Sequence, residues 1–359
     1  MNYCIHLIGE IEGDPRPKRL LEFLKSKGKN VTIVEYEYGQ TSRIIRLLKL
    51  LKFRLGLSRE EIIDQLLNIA EKKNNNEFES GTIHVIEDLL VLPQFFSKYK
   101  KDNSLVIVDL REYYPLARND FKFKYTYKVL YNYIIDHFLK KVDKIITVAY
   151  SHQNLLLKKH NLKSEVLLSL PKRNSSDFLE INNGIIQFVY LGLANKYRGI
   201  ELACDAFTDL DNSQELHLYL TGDKKYIEYL TNKYSNFANI NFHEINNHID
   251  LESILLQSHV GLAIYNKPWN ALNALPNKFF KYINTHNMVI VYANSEMSKF
   301  VEKYKNGIIL EEFTSKCLAK SIQQLTVSDI NMYRKASHMA SYELCQEAQL
   351  DKYKQILLA

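Results

Sequence analysis

The sequence predicts an α/β protein made of two parallel-sheet domains, and three observations lead there. Short apolar strands alternate with amphipathic helices from Gln187 to Lys320. Within that half, IQFVYLGLANKYRGIELACDAF (Ile186 to Phe207) runs as strand, glycine turn and helix, and HLYLTGD (His217 to Asp223) and VGLAIYNKPWN (Val260 to Asn270) repeat the pattern. The 359 residues, 46% of them apolar, are too many for one ordinary domain and suit two of roughly 150–190 residues.

The elements follow in order. Tyr3 to Ile8 is a strand, closed by a turn with Gly13, Asp14, Pro15 and Pro17. Lys18 to Lys27 reads as a helix and Asn30 to Tyr36 as a second strand, a βαβ unit whose right-handed crossover makes a parallel sheet. Further strands are expected at Thr82 to Glu87, Ser104 to Asp109 and Lys144 to Ala149, with a polar loop at Lys72 to Glu79. The first domain spans residues 1–170, and residues 171–184, with Pro171, Asn174, Ser175 and Ser176, read as a linker. The second domain, 185–330, opens with a strand at Ile185, and its last strand ends near Leu310. A strand at Asn239 to Phe242 precedes His243-Glu244. Residues 331–359 read as one long helix, polar on one face.

Composition narrows the function. The four cysteines, Cys4, Cys204, Cys317 and Cys345, lack metal-like or CxxC spacing and read as small buried hydrophobes in a reducing compartment. No signal peptide and no apolar run of membrane-spanning length is seen, so a cytoplasmic protein is expected. Residues 1–170 hold 28 Lys+Arg against 21 Asp+Glu, a net +7, while the remaining 19 and 20 give −1. A basic first half suggests an anionic partner there, with nucleic acid disfavoured because no nucleic-acid module is visible. The basic residues Arg43, Arg46, Lys49 and Lys52 recur every three positions among Ile44, Ile45, Leu47, Leu48, Leu50, Leu51 and Phe53. Such a helix lies on an anionic membrane surface, or packs on the core with a solvated basic face. Phe121 to Lys128 alternates aromatic and basic residues and could meet headgroups or a glycan.

Three strings carry a family resemblance: Tyr190-Leu-Gly-Leu-Ala-Asn-Lys-Tyr-Arg-Gly-Ile200, Leu220-Thr-Gly-Asp223, and Ala274-Leu-Pro-Asn-Lys-Phe-Phe-Lys-Tyr282. With Val106 to Pro115 and Val142 to Ser151 as weaker echoes, the chain resembles the GT-B glycosyltransferases, specifically the retaining family four. The resemblance implies two Rossmann-like domains facing across a cleft, with the terminal helix crossing back to the first domain. It also implies a nucleotide-diphosphate sugar as substrate, no cofactor, and no metal, since no Asp-x-Asp cluster appears.

Residue by residue, the resemblance places Arg198 and Lys278 on the donor diphosphate, with Lys196 sharing the role of Arg198. Gly192, Gly199 and Gly222 would let backbone approach the donor, and Pro276 and Asn277 would open a helix whose free N–H groups face phosphate. The bland readings are a solvated turn and a surface lysine. Asn273 and Lys281 stand where many members carry the two carboxylates of a Glu-x7-Glu pair, and a lysine cannot accept hydrogen bonds from a ribose. Lys281 is then a phosphate contact or a surface residue. In the first domain Gly13, Arg111 and Glu112 would face sugar or acceptor. Arg111 replaces a family histidine; it either binds an anionic sugar or pairs with Glu112 or Asp109. His243 lies near where the family holds the base, or is structural.

The expected function is glycosyl transfer to a bacterial surface glycan or lipid-linked acceptor, at the inner face of the membrane. The rival is a non-catalytic homologue that binds a glycan or scaffolds a partner, which Asn273 and Lys281 favour.

Overall fold

In a computed structural model of the chain, the described residues form thirteen strands in two sheets. The structure describes residues 2–39, 42–57, 59–67, 69–72, 78–99, 104–118, 123, 125–182, 184–245, 250–265 and 269–358. The side chains of Arg43, Asp64 and Tyr197 lie outside that description. The chain divides into two units, Met1–Leu168 and Ser169–Ala359.

The first unit carries β1 (Asn2–Ile8), β2 (Asn30–Tyr38), β3 (Ile69–Glu71), β4 (Ile83–Ile86), β5 (Leu105–Leu110), β6 (Lys144–Thr147) and β7 (Glu165–Val166). They lie in the order β3-β2-β1-β4-β5-β6-β7. All pairings are parallel except β2–β3, where Tyr38 lies opposite Ile69 in antiparallel register. The sheet is parallel as the sequence predicts, with the short strand β3 added antiparallel at its edge. Asp14 caps the first helix, Pro15–Ser26, by accepting from the Arg16 N–H, and Pro15 stands at the first helical position, where its missing N–H costs nothing. The polar loop expected at Lys72 to Glu79 falls mostly on residues 73–77, outside the described residues.

The second unit carries β8 (Ile186–Ala194), β9 (Gln214–Gly222), β10 (Ile240–His243), β11 (Val260–Ala263), β12 (Met288–Tyr292) and β13 (Gly307–Leu310). Their order, β10-β9-β8-β11-β12-β13, is wholly parallel and doubly wound. Phe188, Tyr190, Leu216, Leu218, Leu262 and Ile290 are buried between the sheet and its helices. The order reverses between β8 and β11, and the crevice beyond their carboxyl ends is where such sheets bind ligands. The same reversal in the first unit lies between β1 and β4.

The long terminal helix does not form as one piece. It breaks into Val327–Ser341 and Leu350–Leu357, with a turn of 3-10 helix at Glu347–Gln349 between them. Thr326 and Asp329 make a capping box that starts the first piece three residues before the 330 boundary. The 169–182 segment is tied to the second unit: the N–H of Ile181 donates to Asn331 Oδ1, and Arg334 donates to the Leu179 carbonyl at 2.8 Å. Among the described residues no helix is long and apolar enough to cross a membrane.

Candidate functional site

The site builds from the end of β8. Gly192 has φ +141°, a conformation that favours glycine, and a Cβ there would lie 3.8 Å from Arg198 Nη1 and 3.9 Å from Lys278 Cδ. Asn195 then leads into a 3-10 turn, Lys196–Arg198, and Gly199 caps the helix Ile200–Phe207 at φ +67°. A Cβ on Gly199 would meet the Ile264 carbonyl oxygen at 2.8 Å, so the chain passes beside β11 only without a side chain here.

The second arm is the helix Asn277–Asn284. The expected geometry shifts by one residue: Pro276 is the extended N-cap, and Asn277 takes the first helical position. Asn277 Oδ1 accepts from Ser169 Oγ at 2.7 Å. Phe279, Phe280, Tyr282 and Ile283 are fully buried and fix the helix against the sheet. The Tyr282 ring sits over Gly261 of β11, where any Cβ would clash, and its hydroxyl accepts from the Leu191 N–H at 2.9 Å. This lock aims Lys278 at the end of β8.

Lys278 is the anomaly of the unit. It is 7% exposed, and its Nζ has no hydrogen-bond partner. The amine stands 3.4 Å from the centroid of Tyr190 and 5.2 Å from that of Tyr265. Arg198 also lies over Tyr265, its guanidinium 5.4 Å from the ring centroid. The Tyr190 and Tyr265 hydroxyls are also buried without partners. Two effects compete at Lys278: the aromatic faces favour an ammonium, while burial and then the nearby Arg198 disfavour it. Burial wins, and the amine's pKa falls well below the usual lysine value. Among the described residues neither cation has a carboxylate partner. A partnerless buried amine beside a guanidinium, at the reversal point of a parallel sheet, is suited to an anion.

Gly192, Gly199, Arg198 and Lys278 therefore come together, with Pro276 and Asn277 at the head of the Lys278 helix. Other expected residues lie apart. Lys196 is exposed, over the Tyr226 ring at 5.8 Å. Gly222 ends β9 at φ +102°. Asn273 donates to the Trp269 carbonyl at 2.9 Å. Lys281 is exposed and lines a hollow of about 70 Å³ with Pro171, Leu251, Glu252 and Leu255. His243 belongs to β10 rather than following it; it stacks on Tyr219 at 4.5 Å and hydrogen-bonds His217 at 3.0 Å. Tyr190 and Tyr265 were not singled out in the sequence. The usable signal was an aromatic residue just before the Leu-Gly-Leu turn and another just past β11.

The first unit holds a different charged cluster at its own reversal point. Arg16 makes two bonds to Asp109, at 2.6 and 2.8 Å, with both side chains 6% exposed. Arg111 pairs with Asp14 and, at 3.1 Å, with Glu87. Arg111 is ion-paired with Asp14 and Glu87, not with the expected Glu112 or Asp109. Burial, and next the charge of Asp109, push the Glu87 carboxyl up to about 7. Gly13 closes the 3-10 turn just before Asp14, and Glu112 adjoins Arg111.

The basic helix forms at Arg43–Arg54. Three residues fall short of a 3.6-residue turn, so the basic positions walk round the helix instead of making one stripe. Arg46 sits on the core side with buried Leu50 and Phe53, its guanidinium 5.7 Å from the Tyr127 ring centroid. Lys49 is half-buried and Lys52 exposed. The outward stripe is apolar: Ile44, Leu48, Leu51 and Leu55 are 47% to 74% exposed. Of Phe121 to Lys128, residues 121, 122 and 124 lie outside the described residues; Phe123 is buried, and Arg54 stacks over exposed Tyr125 at 4.9 Å.

Residues 171–342 match the family described as glycosyl transferases group 1. No curated protein matches the chain by sequence. The fold is similar to that of sucrose-phosphate synthase from Thermosynechococcus elongatus, with TM-score 0.70 and 13% identity over 99% of this chain and 98% of that one. It is similar to an E. coli trehalose-6-phosphate protein bound with UDP-2-fluoro glucose, with TM-score 0.66 and 10% identity over 99% and 100%. It is also similar to Anabaena HepE in complex with UDP and glucose, with TM-score 0.64 and 10% identity over 99% and 98%. The fold is that of the GT-B glycosyltransferases, and residues 171–342 match the group 1 glycosyl transferases.

Proposed function

We propose that the protein moves a sugar, with retention of configuration, from a nucleotide-diphosphate donor to a bacterial surface glycan or a lipid-linked acceptor. The observation that carries the donor half is Lys278, a buried amine with no partner beside Arg198 and the glycine end of β8. A diphosphate supplies the missing anion. As the glycosidic bond breaks, negative charge grows on the leaving diphosphate, and two fixed cations stabilise it more than they stabilise the ground state. Gly192 lets the diphosphate approach the backbone, and Asn277 opens the helix whose first N–H groups lie beside Lys278.

The acceptor half rests on the basic first unit and its exposed apolar helix stripe. Ile44, Leu48, Leu51 and Leu55 with Lys52 beside them suit shallow insertion into an anionic bilayer surface, which brings a lipid-linked acceptor within reach. Sedimentation with anionic vesicles tests this: Leu48→Ser with Leu51→Ser should release the protein, and a wild type that stays in solution at low salt contradicts it.

Asn273 and Lys281, in place of two carboxylates, favour a second reading, a non-catalytic glycan-binding homologue. Turnover of a nucleotide-sugar panel with a lipid-extract acceptor separates the two. Transfer supports the enzyme; nucleotide binding in the absence of any transfer or donor hydrolysis supports the second reading.

A further inference from the structure

The interior of the first unit holds a polar cluster that glycosyl transfer leaves unused. β1 puts Cys4 and His6 on one face, and the parallel register sets Cys4 beside His84 of β4. All three are fully buried. One donor atom of each, the thiol sulfur and an imidazole nitrogen from both histidines, lies within 4.8 Å of the other two. His6 Nε2 and His84 Nδ1 face each other at 3.0 Å, and His6 Nδ1 bonds the Tyr36 hydroxyl at 3.0 Å. Phe95 packs on both imidazoles, with centroids at 5.2 and 4.9 Å, and Phe78 closes on His84 at 5.1 Å.

Apolar packing does not account for this set. Two buried polar atoms at the cluster, His84 Nε2 and Glu71 Oε2, have no hydrogen-bond partner. Glu71 lies close enough for its charge to act on Cys4.

We propose that Cys4, His6 and His84 form a structural site for a divalent metal ion of the zinc class, built into the core of the first unit. One thiolate and two imidazoles are a donor set that suits zinc, and two nitrogens on a tetrahedral zinc stand about 3.3 Å apart, near the spacing already present. With its Nδ1–H donated to Tyr36, His6 keeps a lone pair on Nε2 facing the ion, an outer contact of the kind that orients metal ligands. On binding, the Cys4 thiol gives up its proton to solvent. Its thiolate offsets one of the two positive charges, and Glu71, already paired with Lys98 at 3.1 Å, lies near enough for its charge to act on the site. The ligands come from two strands 78 residues apart for the His6–His84 pair, which is why linear cysteine spacing did not reveal them.

The test uses the untagged full-length chain. It is incubated with zinc(II), desalted, and its metal content measured. Roughly one equivalent is expected, with a Tm several degrees above that of the chelator-treated protein. His84→Ala should lose the metal. Cobalt(II) gives a readout on the wild type that survives any folding failure of that variant. Thiolate-to-cobalt charge-transfer absorption is expected, and Cys4→Ser, a near-isosteric change, should abolish it. Metal content far below one equivalent, a cobalt complex lacking the thiolate band, or full retention of metal by folded His84→Ala and Cys4→Ser overturns the site.

Discussion

Both units gather charged side chains where their strand order reverses, and the two clusters are built on opposite principles. In the first unit each guanidinium has its carboxylates: Arg16 with Asp109, Arg111 with Asp14 and Glu87. In the second, Lys278 and Arg198 converge on the end of β8 with aromatic rings around them and, among the described residues, no carboxylate. The difference teaches what a buried cation signals. One paired with carboxylates holds structure together. A buried basic group left without a partner costs stability in the empty protein, and an anion that binds there accounts for it.

That contrast can be broken most forcefully at Arg16. Arg16→Ala leaves Asp109 buried and unpaired, and should destabilise the first unit by about 3–5 kcal/mol in denaturant unfolding. A loss below about 1 kcal/mol would mean that the pair is not structural. Lys278→Met should act in the other direction. It removes an unsatisfied amine from an apolar surrounding, and is expected to leave stability unchanged or raise it by about 1–2 kcal/mol. A marked fall in Tm would show that the amine already has a partner in the empty protein.

Glu87 sharpens the comparison through pH. Its folded-state value, raised from 4.5 to about 7, means that the fold favours the protonated carboxyl. The stability it contributes is full below pH 4.5 and is lost as pH rises through about 7. Glu87→Gln should flatten that part of the Tm-against-pH curve; an unchanged slope would assign the pH dependence elsewhere. The smallest effect is expected at the surface. Lys49→Gln with Lys52→Gln should move stability by less than about 0.5 kcal/mol, while weakening attachment to anionic vesicles.

The alternation of strands and helices was legible because apolar periodicity and glycine turns are local signals, and β8, β9 and β13 lie within a few residues of their expected bounds. The antiparallel β3 was not legible: three residues carry too little pattern. The break in the terminal helix was missed because the 342–349 stretch has no proline or glycine to announce it. At the candidate site, Gly192, Arg198 and Lys278 stood in recognisable strings. Tyr190 and Tyr265 did not stand out, because an aromatic beside a strand reads as core until the cation over it is placed. The pairing of Arg111 with Asp14 spans 97 residues, a separation that no local pattern encodes.

The sharpest question about the second unit is whether Lys278 awaits a diphosphate. Calorimetric titration of UDP and of uridine into the wild type and into Lys278→Met decides it directly. In the wild type UDP should bind more tightly than uridine. The substitution should weaken UDP by roughly ten- to a hundredfold and leave uridine almost unchanged. Equal affinity of wild type and variant for UDP, or equal losses for UDP and uridine, would contradict it.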